Sequence, residues 1–191
     1  FEVPVGSTQS IRIILRILFL FVVFFMLQTF SYATPQIPDT VKYNDLVLSW
    51  RGEGLTPILN DRNIRFTIRH TACYDGHIAK WEIKNKKLFL VDLVGWVKEN
   101  GTGTSKIKEV GLEFLFPGSN SVFADWFTGE MILLEHESKV NQALLSECVY
   151  WLLAVESGII TRSVRKTEIF NFQDDEQLNR YYKLFRKSPR R

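Results

Sequence analysis

Two cysteines and three histidines are all that the chain offers for thiol or soft-metal chemistry. Cys73 and Cys148 form no CxxC unit, and His70, His77 and His136 form no HxH or HExxH pair, so neither a metal site nor a cofactor is expected. A GxSxG nucleophile elbow is missing, and the serines stand in loops with no histidine near them in sequence. Gly101-Thr102-Gly103 lacks the third glycine and the helix start that a dinucleotide cradle needs, and reads as part of a flexible loop. An excess of one charge is lacking too. The 24 Lys and Arg against 21 Asp and Glu leave +3, some of it in the two terminal segments, so nucleic acid is not an expected partner.

The chain has one long apolar run, Ile17 to Leu27 (ILFLFVVFFML), too short for a comfortable membrane span. Arg12 and Arg16 precede it and the small residues Ser31 and Ala33 follow it, which are the parts of a secretory signal peptide. Residues 11–33 therefore read as a signal peptide cleaved after Ala33, giving a periplasmic or secreted protein. The alternative is an uncleaved membrane anchor made of the same residues. Residues 1–10 read as an extended upstream segment, and residues 34–191 as one domain. In an exported protein two cysteines admit a Cys73–Cys148 disulfide, which stabilises a fold by about 4–5 kcal/mol in the chain-entropy model for a loop of this length. Two buried, unpaired thiols are the other reading.

What the domain has in quantity is aromatic side chain, 14% of residues, which leans towards strands because flat rings pack well on a pleated surface. The centre of this reading is His77 to Val97 (HIAKWEIKNKKLFLVDLVGWV), two apolar runs about an Asn85-Lys86 turn. As a hairpin it pairs Ile83 with Leu88, Trp81 with Leu90 and Ala79 with Asp92 on one apolar face. Glu82, Lys80 and Ile78 pair with Phe89, Val91 and Leu93 on the other. A second hairpin or bent strand is expected over Val41 to Trp50 about Asn44-Asp45, and another over Cys148 to Lys166 about Ser157-Gly158.

Residues 51–70 read as loop with a short helical turn near Leu59, and residues 98–105 as an exposed loop. Val110 to Phe116 reads as a strand ended by Pro117-Gly118-Ser119-Asn120, and Ser121 to Glu135 as another, with Gly129 marking a bulge or close approach. Glu137 to Glu147 reads as a short helix or a loop. For residues 140–155 strand is preferred over helix. Residues 174–187 form a helix, with Leu178, Tyr181, Tyr182 and Phe185 as its apolar stripe, acids at its start and bases at its end. The expected fold is mainly β, with antiparallel hairpins forming a curved sheet or barrel and the C-terminal helix packed on it.

Candidate chemistry is sparse. The hairpin register brings His77 and Asp92 to one end of the apolar face, where they form either an acid/base couple or a pair that satisfies itself. Asp125 and Glu130 line an opening of the sheet or brace the bulge near Gly129. The basic tail from Lys183 to Arg191 reads as a solvated helix end rather than a membrane contact.

The run CYDGHIAKWEIKNKKLFLVDL, followed by LFPG and VFADWFTGE, resembles a WEIxxxKLxL…LFP…FADWFxGE pattern in small uncharacterised bacterial proteins. That resemblance implies a bacterial origin and a β-rich fold. It assigns no catalytic residue, and at Asp75 and His77 this chain departs from the pattern. The function read from the residues is a non-catalytic binding domain of the cell envelope, taking a protein or a small apolar or glycan-like ligand on Trp81, Trp96, Trp126 and Trp151. The alternatives are a small hydrolase using His77 with Asp92 or Asp125, and an inhibitor or immunity-type protein that binds one enzyme. The oligomeric state is not legible in the sequence.

Overall fold

The structure is a computed structural model and describes residues 36–99, 106–140 and 144–185. The signal peptide expected at residues 11–33, the segment 1–10 and most of the loop at 98–105 lie outside the described residues.

Three tight turns with left-handed backbone build the hairpins. Asn44 and Asp45 (φ 48° and 61°) join β1 (Asp39–Tyr43) to β2 (Leu46–Trp50). Asn85 and Lys86 (φ 51° and 59°) join β3 (His77–Lys84) to β4 (Lys87–Glu99), and Ser157 and Gly158 (φ 45° and 75°) join β8 (Leu145–Glu156) to β9 (Ile159–Asn171). Such turns twist in the same sense as the strands they connect, which is why two residues suffice. Between β2 and β3 lies the short helix α1 (Thr56–Asp61), with Pro57 in its first turn. After β4 come β5 (Lys106–Val110), the one-turn helix α2 (Leu112–Leu115), β6 (Val122–Phe123) and the long β7 (Gly129–Val140). The chain's last described element is α3 (Asp175–Phe185), and Asp174 Oδ1 caps it by accepting from the amides of Glu176 and Gln177 at 3.0 and 3.1 Å.

Seven strands close into a β-barrel in the order β3-β1-β2-β7-β8-β9-β4 and back to β3, while β5 and β6 are added along β4. All the pairings are antiparallel except β1 with β3, where Val41 lies beside Trp81. Closure between β9 and β4 is narrow. It consists of the pair Lys87–Ile159, flanked by Leu88 N donating to Gly158 O at 2.8 Å and Ile160 N donating to Lys86 O at 2.7 Å. Two hairpin turns thus dock on each other to shut the barrel.

The interior is filled by side chains. Trp50 meets Trp81 and Phe127 edge-on, each at 5.4 Å between ring centroids. Val41, Leu48, Leu90, Leu93, Met131, Leu133 and Leu153 pack around them. Edge-to-face pairs of this kind add about 0.5–1.5 kcal/mol to the area they bury.

Strand β8 serves two cores. Its C-terminal half turns Leu153 and Val155 into the barrel, whereas its N-terminal half turns Cys148 and Tyr150 to the other face, where they pack with Phe170, Tyr181 and Phe185 under α3. Polar contacts fasten the helix there. Tyr181 Oη donates to Glu137 at 2.6 Å, and Arg180 Nη2 lies 2.9 Å from both oxygens of Glu168. Burial and the neighbouring Glu168 push the Tyr150 hydroxyl up to about 12.

Several sequence expectations need correction. The β3–β4 register holds from Ile83–Leu88 to Trp81–Leu90, but Val91 is then bulged out, so Lys80 faces Asp92 and Ala79 faces Leu93. Val110 to Phe116 is not one strand: Gly111 breaks it, and Leu112 and Leu115, three residues apart, bury together as α2. Ser121 to Glu135 is two strands, β6 and β7, separated by the turn through Ala124–Phe127, with Gly129 opening the second. Residues 137–140 and 145–147 are strand rather than helix or loop, because cross-strand pairing continues from Glu137–Cys148 to Val140–Leu145. The loop expected from Lys98 starts later, since Lys98 and Glu99 still pair with β5.

The closing joint sets a test. A Cβ on Gly158 would lie 2.6 Å from Ala124 O at a φ of +75°, so both the space and the backbone exclude a side chain. Gly158→Ala is expected to destabilise the fold by about 2–3 kcal/mol, read as a lower urea midpoint. An unchanged midpoint would show that closure does not depend on this turn.

Candidate functional site

The parallel pairing of β1 with β3 brings the start of both strands to the same end of the barrel as the end of β2. Asp39, His77 and Trp50 meet there. With Gln36, Arg51, Gly52 and Asp75 they line a shallow, open cleft whose cavity volume is about 20 Å³. Asp39 is the hinge of this arrangement. Its Oδ1 accepts from Ala79 N at 2.9 Å and its Oδ2 from Trp81 Nε1 at 3.1 Å, so one carboxylate holds the backbone and the side chain of β3 at once. Gln36 secures the entry to β1 by donating to Thr71 O and accepting from Tyr74 N. His77 places Nδ1 3.0 Å from Asp75 O, with its ring 5.2 Å from that of Phe66.

Trp50 stands apart from the other indoles. Trp81 donates to Asp39, Trp96 to Glu109, Trp126 to Gly54 O and Trp151 to Glu135. Trp50 Nε1 has no protein acceptor among the described residues and opens to solvent in the cleft, while the rest of the side chain is buried. Gly52 keeps that nitrogen reachable, since a Cβ there would sit 2.2 Å from Trp50 Nε1. The cleft therefore places the Trp50 N–H beside Asp39 and Gln36, whose polar atoms are engaged within the fold, and beside Arg51, Asp75 and His77.

The opposite mouth is built differently. A bulge at Glu135 in β7 aims its carboxylate at Arg165, which binds it with two hydrogen bonds of 2.9 and 2.7 Å, while Trp151 Nε1 donates at 2.9 Å. Tyr43 stands edge-on to Trp151 and shares a 3.0 Å hydrogen bond with Ser163. Arg165 holds the Glu135 carboxyl below its ordinary 4.5. All these polar groups satisfy one another.

The chain matches no family model, no curated protein and no solved structure.

Of the residues proposed from sequence, only His77 lies in the cleft. Asp92 does not join it. His77 faces Gly95, and the Val91 bulge turns Asp92 to Lys80, whose ammonium at 2.8 Å holds the carboxyl below its ordinary range. The couple expected on one face is thus not formed. Asp125 and Glu130 are both exposed, the first in the turn after β6 and the second on β7 opposite Ala154. Trp81, 1% exposed, packs inside the barrel and Trp96, 9% exposed, lies against Glu109 and His70 outside that core, so the four indoles make no common surface. Trp126 stacks on Phe116, and Trp151 serves Glu135. Cys73 and Cys148 are both buried and unbonded, Cys73 in the loop before β3 and Cys148 under α3. Burial pushes the Cys73 thiol up, which keeps it protonated and unreactive. Among the described residues no three His, Cys, Asp or Glu gather as metal ligands, and no helix is long and apolar enough to cross a membrane.

Sequence reasoning passed over Asp39 and Trp50. The signals were an acid at the first position of a strand and a Trp followed at once by Arg51-Gly52, a strand end opening into a glycine-bearing loop.

Two outcomes follow. Asp39→Ala removes the acceptor of two part-buried donors and is expected to cost about 2–4 kcal/mol in chemical denaturation, whereas a loss under 0.5 kcal/mol would show that the bridge is idle. Glu135 has a lowered folded pKa, so its contribution is complete above its ordinary value and fades as pH falls through the folded one. Glu135→Gln should therefore flatten the acid limb of the stability curve below about pH 5, and an identical limb in variant and wild type would count against the pair.

Proposed function

We propose that the domain is a binding module of the bacterial cell envelope, exported by residues 11–33, and that its ligand is glycan-like and enters the cleft at Asp39, Trp50 and His77. The observation that carries this reading is the indole N–H of Trp50, which alone among the indoles has no protein acceptor among the described residues and opens into the cleft. A sugar hydroxyl or N-acetyl carbonyl supplies an acceptor for the Trp50 N–H, and the half-exposed His77 ring beside it adds a polar edge that a hydroxyl suits. The small apolar ligand considered from sequence is disfavoured because the four indoles meant to hold it do not share a surface. A hydrolase acting through His77 and Asp92 loses its geometry. An inhibitor or immunity-type role would engage a protein surface rather than this cleft.

Isothermal titration with N-acetylglucosamine oligomers tests the reading. Wild type is expected to bind, and Trp50→Phe, which keeps an aromatic ring but no donor, to bind about tenfold more weakly, the worth of one hydrogen bond. Equal affinity in the two proteins, or no heat with wild type, would sink it. Export is checked by the mass of protein recovered from the periplasmic fraction, where a chain starting at Thr34 is expected.

A further inference from the structure

Strand β9 is paired along its whole length with β8, from Glu156–Ile159 to Leu145–Asn171. On its other side it meets β4 only at Ile159. From Thr161 to Asn171 the outer edge of β9 has no strand beside it among the described residues, and Arg162, Arg165, Lys166, Thr167 and Ile169 on it are exposed. Short of Asn171, whose amide donates to Gln177 Oε1 at 2.9 Å, an edge of this length presents a row of backbone donors and acceptors to any strand that fits. Charged residues on an edge usually prevent such pairing, because an added strand would leave them opposed by nothing of opposite sign. Whether they do so here depends on their order.

We propose that β9 pairs antiparallel with β9 of a second copy of this chain, about a two-fold axis through Thr167. Residues directly opposite each other in an antiparallel pair share a face, so a two-fold axis must pass through a residue position. With the axis at Thr167, Lys166 faces Glu168 of the second copy and Glu168 faces its Lys166, so each Glu168, already held by Arg180 of its own chain, gains a second cation. Thr167 faces Thr167, a pair that suits sheets, and Val164 faces Phe170 on the same side as the two lysine–glutamate pairs. On the other side Ile169, 64% exposed in the single chain, is covered by the aliphatic stem of Arg165. Neighbouring registers fail. An axis at Arg165 or Lys166 sets like cations against each other, and an axis at Glu168 sets two carboxylates together. The Lys-Thr-Glu order of residues 166–168 is thus self-complementary, and the edge selects its own copy in one register. The product is a six-stranded sheet, β7-β8-β9 continued by the same three strands in reverse order, with both copies of α3 on one face. This inference is independent of the cleft and of its ligand.

Sedimentation of the full chain over a range of concentrations tests the association, and a disulfide tests the register. Opposed Cα atoms in an antiparallel pair stand about 4.5–5.5 Å apart, within the reach of a disulfide. Thr167→Cys is expected to give a covalent dimer on mild oxidation, while Ser163→Cys and the wild type, whose two cysteines are buried, stay monomeric on a non-reducing gel. Lys166→Glu places carboxylates opposite Glu168 at both ends of the contact and is expected to weaken association at least tenfold while leaving the circular dichroism of the monomer unchanged. A chain that sediments as a monomer at every concentration overturns the proposal. So does a dimer that Lys166→Glu leaves intact, or one in which Ser163→Cys cross-links and Thr167→Cys does not.

Discussion

The docking of one hairpin turn on another is what turns a run of strands into a barrel. Leu88 N with Gly158 O and Ile160 N with Lys86 O are ordinary backbone hydrogen bonds, each worth about 0.5–1.5 kcal/mol net. Their importance lies in position. Without them β9 comes away from β4 and the barrel opens into a sheet with β9 at one end and β4 with β5 at the other. The joint needs both turns to be tight. A longer loop at either place would carry its strand ends apart, and a side chain at Gly158 would strike Ala124.

The same economy governs the cleft. Asp39 sits where the one parallel pairing of the sheet begins, and parallel ladders are slightly less stable per residue than antiparallel ones. Its carboxylate reinforces that seam by holding Ala79 and Trp81 together. The site is therefore built from a group that the fold already requires. Trp50 shares this double duty, with its ring in the core and its nitrogen at the rim.

Turn chemistry explains what was legible in the sequence. Asn44-Asp45, Asn85-Lys86 and Ser157-Gly158 each bring at least one Asn, Asp or Gly, which tolerates left-handed backbone, between flanking apolar strands, and all three hairpins stand where those pairs place them. The C-terminal helix was equally plain from its stripe and its acids. What failed were departures from strict alternation. A bulge leaves no mark in composition, so Val91 was invisible, and with it the turning of Asp92 away from His77. Leu112 to Leu115 is too short for a helical period to assert itself against a neighbouring strand pattern. The cleft was harder still, because Asp39 and Trp50 matter through what they touch across the barrel, and an indole without an acceptor can be recognised only once the acceptors of the other four are known.

Strand β8 has a consequence of another kind. Its buried residues change parity midway, even-numbered beneath α3 and odd-numbered inside the barrel, so a slip of one residue against β7 or β9 would turn both sets outward together. No compensating arrangement satisfies one set while sacrificing the other. The strand acts as a ruler with two scales engraved on opposite sides, and the chain reads the correct alignment only where both agree.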